Sequence, residues 1–195
     1  MRTIESLVPT KESCENLCDS WDGTAIPLRT NYSILHEMFD WQRRFGDHCF
    51  VKNQIKDNEG NILTFDKIYK EFQEGKFGPN DLPNEWLRKF HECMKNELEE
   101  LLELLPWKHW SKAQIGEKIY PNHTPEQRIN EARIELVDIW HFLMSAFMCV
   151  GMGPRELHEL YIAKNKVNFE RQQNEYNEAT KTNEDNDRLA ASMNL

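Results

Sequence analysis

The sequence predicts an all-α fold, a helical bundle, on three observations. Apolar residues recur at steps of three and four along most of the chain. Glycine and proline are sparse, eight of each, and they gather at 75–83 and 151–154, between the periodic stretches. One stretch, 136–148, is apolar almost all round, as a helix at the centre of a bundle is.

The first helix is expected over 33–45, with Ile34, Leu35, Met38, Trp41 and Phe45 as its apolar stripe and Gly46 as C-cap. Residues 47–63 read as irregular, and Lys56-Asp-Asn-Glu-Gly-Asn61 as a turn, the tip of a short hairpin. A short helix over 64–74 and a loop come next. A long helix then runs from an N-cap at Asn84 to 105, burying Leu87, Phe90, Met94, Leu98, Leu101 and Leu105. Pro106 ends it, and a loop with two tryptophans leads to Thr124, an N-cap followed by proline at the first helical position. The helix over 125–150 carries the apolar stretch and stops at Gly151. A last helix covers 154–176, and the polar residues 177–195 read as a flexible tail. Residues 1–176 are thus expected to form one domain.

Charge and cysteine usage narrow the function classes. The chain has 24 Lys+Arg against 33 Asp+Glu, a net charge of -9, so a basic coat for nucleic acid or an anionic membrane is not expected. There is no apolar run of signal-peptide or membrane-spanning length. Five scattered cysteines speak against a disulfide framework and for a cytoplasmic setting. Cys14 and Cys18 lack a second Cys/His pair, so no zinc site is expected.

Two carboxylate pairs stand out. Glu135 and Asp138 interrupt the apolar helix, three residues apart and so on one face. Carboxylates among apolar residues need cations beside them: a metal ion, or a salt bridge to Arg133 or Lys164. The long helix before it offers Glu97 and Glu100, again three apart. Two antiparallel neighbours would aim all four at one point. Oxygen-only ligation suits Mg²⁺ or Mn²⁺, hard ions that keep waters and bind phosphates. His141 follows Asp138 by one turn, within reach as a hydrogen-bond partner of a metal ligand or as a core histidine.

On the last helix, Lys164, Asn165, Asn168, Arg171 and Gln172 make one polar stripe. Two cations and three amides can hold phosphate oxygens and a sugar hydroxyl; the same pattern also describes a solvated helix face.

Taken in order, Glu97-Leu-Glu-Glu100, Trp107-Lys-His-Trp110, Glu135-Leu-Val-Asp138-Ile-Trp-His141-Phe142 and the run Lys164 to Gln172 resemble the all-α nucleoside triphosphate pyrophosphatase superfamily. Within it the chain is most similar to the dimeric dUTPase family, in its phage dCTPase-dUTPase branch. Met38-Phe-Asp-Trp-Gln42 in the first helix adds to the likeness, since Gln42 matches a glutamine that the family sets near the base. Ser111 departs from the pattern, where a second lysine often follows the tryptophan motif.

The resemblance implies a Mg²⁺-dependent dUTP diphosphatase, releasing dUMP and pyrophosphate, with two or more ions held by Glu97, Glu100, Glu135 and Asp138. Glu100 would double as general base beside Glu97. Lys164, Arg171 and Lys108 would neutralise phosphate charge, and Asn165, Asn168 and Gln172 would hold sugar or phosphate. Gln42 would read the base, Trp107 or Trp110 would close over it, and His141 would stand at the same site. A homodimer in the cytoplasm (of the host, if phage-encoded) is implied, with a deoxyribonucleoside triphosphate as partner.

Three alternatives stand beside this reading. One is the same chemistry on dCTP, on both pyrimidines or on a broader MazG-type range. Another is a di-iron bundle, disfavoured because only one Asp-x-x-His occurs where two Glu-x-x-His motifs are usual. The third is a non-enzymatic helical module, which leaves the carboxylates unexplained.

Overall fold

The computed structural model describes residues 34–105, 122–173 and 184–192. These form six helices: α1 Ile34–Lys52, α2 Phe65–Gln73, α3 Leu82–Leu104, α4 Pro125–Cys149, α5 Pro154–Gln173 and α6 Glu184–Ser192. There is no strand among the described residues, only one isolated antiparallel bridge, Lys56 to Ile62. The all-α fold read from the sequence is what forms.

α3 and α4 are the main packed pair, and α1 and α2 cover the C-terminal half of α4. The core lies at that end. Phe50 of α1, Leu63, Phe65 and Ile68 around α2, Leu82 and Phe90 of α3, and Ala146 and Cys149 of α4 are buried together. Their rings interlock, with Phe50 edge-on to Trp86 at 4.7 Å and Phe65 stacked on Phe90 at 6.0 Å.

Local chemistry explains both ends of α4. Thr124 and Gln127 form a reciprocal capping box, with Pro125 opening α4. Gly151 closes that helix at φ 68°, a conformation glycine adopts without strain. The turn at 57–61 is held by Asp57, whose Oδ1 accepts from the backbone N–H groups of Glu59 and Asn61, both at 2.9 Å.

Four expectations are corrected. α1 does not stop at Gly46 but runs on to Lys52, so 47–52 is helical. Gly46 is needed for contact, since a Cβ there would meet the Phe65 ring at 2.3 Å. The N-cap of α3 is Asp81, and Asn84 donates to the carbonyl of Gly78 instead. Leu98 and Leu105 are exposed, as are Leu136 and Val137 of the apolar helix, because α3 and α4 extend beyond the part that α1 and α2 cover. The polar residues 177–195 include a helix, α6, which packs on α5.

Candidate active site

The carboxylates lie where the α3–α4 pair leaves the core. The antiparallel packing of the two helices brings Glu97 and Glu100 opposite Glu135, one carboxylate oxygen of each lying within 4.8 Å of the others. Asp138, one turn further along α4, adds its charge to the same group. Around Mg²⁺, ligand oxygens sit roughly 3–4 Å apart, so small rotamer changes would suit Glu97, Glu100 and Glu135 to a hard cation.

The electrostatics are those of a site short of positive charge. Desolvation, and then the neighbouring carboxylates, hold both Glu97 and Glu135 above the usual glutamate range. The two salt-bridge partners expected as alternatives go elsewhere: Arg133 donates to Asn130 and Lys164 to Asn186. The carboxylates are half-buried or exposed rather than deeply buried, which leaves them open to a charged ligand.

Beside the cluster is a cavity of about 640 Å³ between α1 and α4. Ile34, Met38, Trp41, Phe45 and Met144 give it apolar walls, and Glu37, Gln42, Asp138 and His141 give it polar points. Asp138 therefore belongs both to the cavity and to the acidic group. His141 Nδ1 is 3.4 Å from Asp138 Oδ1. Gln42 is buried, its Nε2 donating to Ser145 Oγ at 3.0 Å.

The structure thus gathers Glu97, Glu100, Glu135, Asp138, Gln42 and His141. α5, which carries the Lys164–Gln172 stripe, follows α4 after a bend of 100°. Lys164 is bonded to Asn186 of α6, and Asn165 to the Tyr161 carbonyl. Asn168, Arg171 and Gln172 follow on the same helix. Trp107, Lys108 and Trp110 lie outside the described residues, as do Cys14 and Cys18. Ser145 escaped the sequence reading, although one hydroxyl inside the run Phe142-Leu-Met-Ser-Ala-Phe147 is a visible signal.

An all-α chain that sets carboxylates from two antiparallel helices together, beside an apolar cavity, has the groups that could hold a hard cation next to an organic ligand. The chain belongs to the dUTPase family, whose model matches residues 34–154. The resemblance read from the motifs is thereby shown, while the α5 stripe falls beyond the matched residues. The dCTP pyrophosphatase of enterobacteria phage T4 is 38% identical over 105 residues, 47% of this chain and 61% of that protein. A DNA replication protein of the same phage is 35% identical over 95 residues, 42% of this chain and 24% of that protein. The dCTP pyrophosphatase of enterobacteria phage LZ5 is 32% identical over 105 residues, 47% of this chain and 60% of that protein. The aligned part therefore spans less than two thirds of each relative. No solved structure matches the chain.

Proposed function

We propose that the chain hydrolyses a pyrimidine deoxyribonucleoside triphosphate to the monophosphate and pyrophosphate, using Mg²⁺ at the acidic cleft. The observation that carries the proposal is the approach of Glu97, Glu100 and Glu135 within 4.8 Å, next to a cavity of about 640 Å³. The base occupies the cavity and the phosphates lie at the carboxylates, with Asp138 at the junction.

Each residue has a task in this scheme. Glu97, Glu100, Glu135 and Asp138 hold the divalent ions. Those ions, when bound, screen the phosphate charge and acidify a water. Glu100, the exposed member of the cluster, takes the proton of the attacking water. His141 steadies Asp138 through their 3.4 Å contact. Lys164 and Arg171, with Lys108, neutralise charge on the departing pyrophosphate, and Asn165, Asn168 and Gln172 hold sugar or phosphate. For Lys164 this requires exchange of its Asn186 partner, an exposed and replaceable contact.

The favoured base is cytosine, because two relatives are named dCTP pyrophosphatase. The family description, dUTPase, favours uracil as the second reading, which the motifs also put first. A panel of deoxyribonucleoside triphosphates with product analysis tests this. Monophosphate plus pyrophosphate from dCTP or dUTP supports it, and orthophosphate release or no turnover sinks it.

The proposal includes a homodimer. Val137, 51% exposed, lies two turns before the buried Met144 on the same side of α4. One end of the stripe is covered by α1, and the other end is bare beside Ile134, Leu136 and Leu98. A second copy covering that face would bury it.

A further inference from the structure

Gln42 is 7% exposed and Ser145 1% exposed, and they form a buried polar pair in apolar surroundings. Gln42 Nε2 donates to Ser145 Oγ, and Ser145 Oγ donates to the His141 carbonyl one turn earlier, each at 3.0 Å. A hydroxyl has one proton to give. Ser145 commits it to His141 and so meets Gln42 only as an acceptor. The amide group turned to Ser145 must then be the NH₂, and Oε1 must point elsewhere. Among the described residues no donor reaches Oε1, and Gln42 is part of the cavity wall.

We infer that Ser145 is a positioning residue for base discrimination, locking the Gln42 amide in one flip so that Oε1 is a fixed acceptor at the cavity. This rests on the proposed reading of the cavity as the base site. Cytosine offers an amino donor beside a ring-nitrogen acceptor. Uracil offers a ring N–H donor beside a carbonyl acceptor. The donors stand at different places on the two rings, so a fixed acceptor tells them apart by position. An amide free to flip offers either donor or acceptor at the same point and accepts both patterns.

The test is steady-state pyrophosphate release from dCTP and dUTP with Mg²⁺, on wild type, Ser145→Ala, Gln42→Ala and the double variant. Ser145→Ala is expected to move the ratio of the two kcat/KM values at least fivefold toward unity, mainly through KM. In the Gln42→Ala background the same change is expected to leave the ratio alone, since Ser145 acts through Gln42. Ser145→Cys, of similar size and weaker hydrogen bonding, should move the ratio in the same direction and guards against loss of folding in the alanine variant. An unchanged ratio in active Ser145→Ala or Ser145→Cys overturns the inference. An equal shift with and without Gln42 overturns it too. Wild type inactive on both triphosphates overturns the functional reading and this inference together.

Discussion

Glu97 of α3 and Glu135 of α4 face each other across the cleft, one carboxylate oxygen of each lying within 4.8 Å of the other. Without a cation the pair therefore retains a proton more readily than free glutamate does. Desolvation and the charges of Glu100 and Asp138 act in the same direction.

Stability should accordingly depend on pH and metal together. Both glutamates titrate above their ordinary value of 4.5 in the folded chain, so the native state binds more protons than the unfolded one just above that pH. Stability then falls as pH rises through this window. In chelator, the melting temperature is expected to rise as pH is lowered toward the ordinary glutamate value of 4.5. Saturating Mg²⁺ should raise it at pH 7 and flatten the slope. A metal-independent profile would contradict the cluster's role.

Glu135→Gln removes one ligand while keeping its size. Turnover is expected to fall by at least about a hundredfold, in line with losing a group that stabilises the transition state. The melting temperature in chelator should hold or rise, because a repelling charge has gone. Wild-type turnover would remove Glu135 from the site.

Gly46→Ala separates two effects of opposite sign. Alanine inside a helix gains up to about 1 kcal/mol over glycine. Here its Cβ would lie 2.3 Å from the Phe65 ring, which is itself buried and stacked on Phe90. Overpacking costs typically about 1–3 kcal/mol, so a net loss is expected, read as a melting temperature lower by several degrees. A stabilised variant would show that α1 and α2 pack less closely.

The bare face of α4 gives a test of assembly. Leu136→Asp with Val137→Asp is expected to turn a dimer into a monomer in sedimentation, without loss of helix signal. A monomeric wild type would contradict the proposed homodimer.

The sequence made the helical class, the capping of α4 and both carboxylate pairs legible, because spacing of three and four along a helix decides which side chains share a face. Its failures have physical causes. Gly46 carries the signature of a helix end, but its lack of a side chain serves a contact with Phe65, far along the chain. Leu136 and Val137 look like core by composition, and only the length of α4 relative to its neighbours shows them bare. The α5 stripe has helical spacing, but periodicity along one helix says nothing of the 100° bend between it and α4. Ser145 becomes significant only once α1 sets Gln42 against it.

The most direct test is pyrophosphate release from dCTP and dUTP by the purified chain, measured with Mg²⁺ and again after chelation. The account predicts release from at least one of them with Mg²⁺, a fall to background in chelator, and recovery when Mg²⁺ returns. Release that persists in chelator, or none with Mg²⁺, would contradict a metal-loaded carboxylate cleft as the seat of the reaction.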